Sequence, residues 1–85
     1  MYHSRFQELM TKGYALSNKL YFKEFDSHEF DKWINDCKRL LAKCAPEPDG
    51  FPWFPSPRHI EEIVMLLAKT SRNISRGQIE YTGLL

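Results

Sequence analysis

Apolar residues in this 85-residue chain recur at helical rather than strand spacing in three separate stretches. In the clearest, Phe30, Trp33, Ile34, Cys37, Leu40, Leu41 and Cys44 fall at offsets 0, 3, 4, 7, 10, 11 and 14. Asp31, Lys32, Asn35, Lys38, Arg39 and Lys43 occupy the opposite face. One apolar stripe backed by charge is the mark of an amphipathic helix. The preceding "FDSHEF" supplies a start signal. Asp26 is placed to act as N-cap, Glu29 to return the hydrogen bond as a capping box, and Phe25 and Phe30 to close as a hydrophobic staple. Acids gather early and bases late, which complements the helix dipole. A helix is predicted over about 27–44.

Upstream, Tyr2, Phe6, Leu9, Gly13, Leu16 and Leu20 step by 4, 3, 4, 3 and 4, predicting a helix over about 3–23. Gly13 falls on the apolar seam. Glycine inside a helix costs about 1 kcal/mol relative to alanine, so its place there predicts a close approach by a neighbouring helix. Met10, Tyr14 and Tyr21 widen the stripe beyond the two positions per heptad of a coiled coil. Downstream, Ser56 and Pro57 read as N-cap and first helical residue, and Ile60, Ile63, Val64, Leu67, Ser71 and Ile74 mark a third helix over about 57–76, closed by Gly77. "APEPDG" stops the second helix, and Gln78 to Leu85 reads as an irregular turn. The expected fold is all-α: one domain over residues 1–85, a small three-helix bundle with a Pro/aromatic linker between helices 2 and 3. The first two helices should form an antiparallel hairpin; the direction of the third stays open.

Composition narrows the class. A content of 42% hydrophobic and 14% aromatic residues supports one core, although a chain this short has a thin stability margin. Twelve basic against eleven acidic residues leave +1, which provides no general attraction to nucleic acid or anionic lipid. No apolar run reaches the roughly 18 residues of a membrane span. The N-terminal "MYHSRFQELMTKG" carries charge where a signal peptide needs its apolar region, so a cytoplasmic location is expected. Cys37 and Cys44 lie seven residues apart on one helical face, about 10 Å between Cα atoms. A disulfide needs less than about 7 Å, so both are expected as reduced, buried thiols.

Reaction chemistry finds little to work with. His3, His28 and His59 each fall near a helix start, with no serine or cysteine that the sequence sets beside them. Glu61 and Glu62 are adjacent and diverge by about 100° on a helix. Glycines 13, 50, 77 and 83 are scattered and form no phosphate loop. A non-enzymatic protein is expected, without catalytic residues, cofactor or metal.

Two binding readings remain. In "DGFPWFPSPRH", Phe51, Trp53 and Phe54 stand among Pro52, Pro55 and Pro57. The rings either fold back to cap the core or wait for a partner, since tryptophan is enriched at binding hot spots. With Tyr14, Tyr21 and the Leu84–Leu85 end they form the candidate contact surface for another protein, or for a second copy in a homodimer. The second reading is nucleic-acid binding through Lys69, Arg72 and Arg76, which share a helical face, supported by Arg58 and the Lys38, Arg39, Lys43 group. The linker is too long for a helix-turn-helix.

"EFDKWINDCKRLLAKC", followed by "IEEIVMLLAKTSRNISRGQI" and preceded by "ELMTKGYAL", resembles helical N-terminal modules that stand beside effector domains in some bacterial antiviral defence proteins. The shared elements are an acidic start, an aromatic-Lys-Trp turn and a late helix ending in charge plus glycine. The linker's prolines and aromatics depart from that pattern. The resemblance implies an adaptor or inhibitor role in prokaryotic defence or phage counter-defence, and it transfers no catalytic residue.

Overall fold

The computed structural model describes residues 2–84, and side chains from 3 to 83. The seam position of Tyr2 and the Leu84–Leu85 contact surface therefore lie outside the described side chains. Three helices dominate: α1 (Tyr2–Tyr21), α2 (Ser27–Ala42) and α3 (Ile60–Ser75). A 3₁₀ turn (Pro57–His59) leads into α3, a second (Thr82–Leu84) follows it, and two short strands, β1 (Cys44–Ala45) and β2 (Glu80–Tyr81), pair antiparallel.

The α2 start forms as its residues dictate, with one exception. The Asp26 carboxylate accepts from the His28 backbone N–H at 2.8 Å, and the Phe25 and Phe30 rings pack 5.6 Å apart. Glu29 does not return the cap bond. It accepts from Lys19 Nζ at 2.8 and 3.0 Å instead, joining the end of α1 to the start of α2. A cation across the hairpin outcompetes a local amide for the carboxylate. Hydrogen bonding to Glu29 raises the Lys19 pKa above its ordinary value.

Two helices end in the same device. After α3, Gly77 takes φ +78°, Gln78 N–H donates to the Asn73 carbonyl and Gly77 N–H to Ile74. After α1, Glu24 N–H donates to Lys19 and Lys23 N–H to Leu20, with Lys23 at φ +60°. Both are Schellman motifs, whose left-handed residue favours glycine. Replacing Lys23 with glycine should therefore stabilise the protein by about 0.5–1 kcal/mol, and Gly77→Ala should destabilise it by about 1 kcal/mol. Urea midpoints that move in the same direction for both variants would contradict these assignments.

α1 is the central helix. It runs antiparallel to α2, with Lys19 against Glu29 at one end of the hairpin and Trp33 against Leu9 further along. It crosses α3 at Gly13, where an added Cβ would stand 2.5 Å from Val64 Cγ2 and 2.7 Å from Trp33 Cζ2. All three helices meet at that glycine. The turn after Ser75 leads straight to Tyr81, whose ring meets Phe6 edge-on at 6.4 Å near the start of α1. α3 therefore also runs antiparallel to α1, which settles its direction. α2 and α3 point the same way, so the linker must carry the chain back along the molecule, and this accounts for its length. On its way it passes both: Phe51 lies beside Lys38 of α2, and Pro48 and Asp49 line one pocket together with Lys69 and Asn73 of α3. The core comprises Phe6, Leu9 and Leu16 of α1, the α2 stripe from Phe30 to Leu41, Cys44, and Ile60, Ile63, Val64 and Leu67 of α3.

Four expectations need correction. The fold is mostly helical rather than all-α, because the tail forms β2 instead of an irregular turn. α2 accordingly stops at Ala42 and not Cys44: Cys44 pairs with Tyr81, and the Lys43 carbonyl accepts both the Thr82 N–H and its Oγ1 hydroxyl at 2.7 Å. Residues 57–59 wind as 3₁₀ before α3 begins. Leu20, placed on the apolar seam, is 41% exposed, and the stripe-widening contact candidates Tyr14 and Tyr21 are 60% and 82% exposed. The physical reason at the far end is length. α1 has 20 residues against 16 in each partner, so about one turn projects beyond them. The molecule measures 40 × 24 × 18 Å, and a thickness under two helix diameters leaves every helix a solvent face.

Candidate functional site

The aromatic linker splits into two roles. Phe51 is half-buried against the core, with Lys38 Nζ 5.7 Å from its ring centre. Trp53 and Phe54 are 92% and 88% exposed. Gly50 at φ +104° turns the chain so that Phe51 can point inward, and Pro52, Pro55 and Pro57 fix φ on either side of the exposed pair. Two large rings are thus displayed on a segment whose backbone has few alternative states to lose on binding. Exposed rings of this size are costly to leave in water, roughly 2–3 kcal/mol each relative to burial.

The other residues read as contact candidates lie apart from this pair. Tyr14 stands mid-way along α1. Tyr21 is at its C-terminus, where its ring meets Phe22 edge-on at 5.2 Å. Among the described residues no ring contact joins Trp53 or Phe54 to either tyrosine. Sequence reasoning passed over two further exposed apolar residues, Phe22 at 68% and Met65 at 71%. Met65 carries a usable signal: it falls one position off the buried stripe of α3, where amphipathic helices ordinarily place polar side chains.

A groove of about 280 Å³ runs between α1 and α2, with Leu16 and Trp33 at its floor and Lys12, Lys19, Lys32 and Asp36 around its rim. Its lining contains no hydroxyl, thiol or imidazole. The cysteines are elsewhere and are free: burial pushes the Cys37 thiol up to about 12 and the Cys44 thiol up from its ordinary value. Neither is poised as a nucleophile, which requires the thiolate.

One histidine differs from expectation. Ser56 Oγ lies 3.2 Å from His59 Nδ1, so a serine does stand beside a histidine. The same nitrogen accepts from the Ser56 backbone N–H at 3.0 Å, and the His59 N–H donates to the Ser56 carbonyl at 2.9 Å. The i, i+3 spacing of a capping box is legible in "SPRH". Among the described residues no carboxylate hydrogen-bonds the ring to orient it as a base, so the pair serves to start a helix. No group of three or more His, Cys, Asp or Glu among the described residues is arranged to hold a metal ion.

Lys69, Arg72 and Arg76 are all exposed, and none forms an ion pair among the described residues. Among the described residues no helix is long and apolar enough to cross a membrane. Compared with known proteins, the chain matches no family model, no curated protein and no solved structure.

Proposed function

We propose that the protein is a non-enzymatic binding module that captures another protein through Trp53 and Phe54. The observation that carries this reading is the near-complete exposure of two adjacent large rings, 92% and 88%, on a proline-stiffened linker anchored by Phe51. Rigid aromatic anchors supply contact area at low entropic cost and dominate interface energetics. The resemblance of α2 and α3 to defence-associated helical modules supports an adaptor or inhibitor role in prokaryotic or phage cytoplasm.

The test compares proteins captured from a native lysate by the wild type and by the Trp53→Ala/Phe54→Ala double variant. Because both side chains project into solvent, the variant should keep its helical circular dichroism and melting temperature while losing its specific captured protein by at least about tenfold. Trp33 is 2% exposed, so fluorescence that an aqueous quencher can reach should come from Trp53 and become protected when the captured partner is added. A variant that captures as well as the wild type defeats the reading.

A second reading rests on the unpaired cations Lys69, Arg72 and Arg76, which suit a phosphate backbone. It requires binding to DNA or RNA that weakens steeply with salt. Salt-independent binding to the captured protein excludes it as the main activity.

A further inference from the structure

Four residues of α3 form a self-complementary stripe: Glu61, Met65, Ala68 and Arg72, at spacings of 4, 3 and 4. The spacing sets them in one row along the helix. Glu61, Met65 and Arg72 are exposed, and Ala68 is partly so. Glu61 and Arg72 form no ion pair among the described residues. They lie about 16 Å apart along the helix, and therefore cannot satisfy each other within one chain. The row also reads the same way in reverse chemistry: acid, long apolar, small apolar, base.

The row lies on an uncovered side of the molecule. Lys12, one residue before Gly13, lines the groove facing α2. Tyr14, one residue after it, therefore falls on the opposite flank of α1. Val64 touches the Gly13 position, and Met65 follows it in the same way. In antiparallel right-handed helices, one step past the crossing carries both side chains to the same side. Tyr14, 60% exposed, and Met65, 71% exposed, thus lie on one side of the molecule, away from α2.

We infer that a second copy of this chain occupies that face, pairing α3 with α3 antiparallel about a two-fold axis between Met65 and Ala68. In that register Glu61 meets the second copy's Arg72 at both ends, and each Met65 side chain enters the space over the second copy's Ala68. A two-fold contact must be self-complementary, and this row is so in both charge and size. One row on a single helix makes a small contact of the weak, transient kind, so dimerisation depends on concentration. The inference is independent of the linker reading, because the two surfaces share no residue.

Sedimentation equilibrium of the full chain, run with charge-reversed variants, tests it. The wild type should show a monomer–dimer equilibrium. Glu61→Arg and Arg72→Glu each place like charges opposite one another twice per dimer and should weaken association about tenfold or more. The double variant, with the charges exchanged, should recover the wild-type constant. Met65→Asp should give a monomer with an unchanged melting temperature measured under dilute, monomeric conditions. A wild type that stays monomeric to about millimolar concentration overturns the inference, as does a double variant no better than the weaker single one. Loss of the dimer in Trp53→Ala/Phe54→Ala also overturns it, since the second copy would then be held by the linker.

Discussion

Trp33→Ala is expected to lower the unfolding free energy by about 3–5 kcal/mol. For an 85-residue domain with a total stability of about 4–13 kcal/mol, that is the largest single-residue loss anticipated. The ring is 2% exposed and packs against Phe30 at 6.3 Å and against the backbone of α1 at Gly13. Its indole Nε1–H donates to the Leu9 carbonyl at 2.8 Å, a buried bond between two helices. Truncation removes the packing, leaves a void and deletes the donor together. Trp33→Phe separates these effects. It keeps most of the ring and leaves the Leu9 carbonyl its bond within the helix, so it should cost only about 1–2 kcal/mol. Urea denaturation followed by circular dichroism measures both, and the alanine variant should melt at least about 12 °C lower. Equal losses for the two variants would show that the hydrogen bond, not the ring, holds α2 to α1.

Gly13→Val should cost about 3 kcal/mol, and Gly13→Ala about 1–2 kcal/mol. Helix propensity argues the other way, favouring alanine over glycine by about 1 kcal/mol. Sterics decide the sign. A Cβ at this position would approach Val64 Cγ2 to 2.5 Å and Trp33 Cζ2 to 2.7 Å, well inside contact distance. Neither neighbour is the end of a flexible chain: both are buried and stiff. Relief requires the helices to separate, and separation would also lengthen the Trp33–Leu9 bond. If this account is right, Val64→Ala in the Gly13→Ala background should cost less than the two single changes combined, by about 1 kcal/mol. A Gly13→Ala protein that melts higher than the wild type would remove the close crossing from the account.

The helical content was legible because each stripe repeats at 3.6 residues over at least three turns. The six stripe residues of α2 from Phe30 to Leu41, and Cys44 just beyond it, are all buried. Gly13 was legible as well, because glycine on a buried seam has few explanations other than a close neighbour. The strand pair was not. Two-residue strands carry no periodicity, and Cys44–Ala45 belongs with Glu80–Tyr81 only because the turn after α3 returns the chain there. Glu29 shows the same limit at the level of one side chain: its local partner was readable, whereas its actual partner Lys19 lies ten residues away across a hairpin. Of the candidate contact residues, the division between Phe51 inward and Trp53 and Phe54 outward depended on where the linker crosses α2.

The sequence alone determined which segments become helices, which face of α2 is buried, where Asp26 and Gly77 punctuate the chain and that both cysteines stay apart. These follow from local spacing, capping chemistry and the reach of a few bonds. Only the tertiary structure decided the direction of α3, the pairing of the tail with the end of α2, and which apolar side chains remain in water. These depend on contacts between residues far apart in the chain and on α1 being longer than the helices that cover it, and a pattern of period 3.6 contains neither.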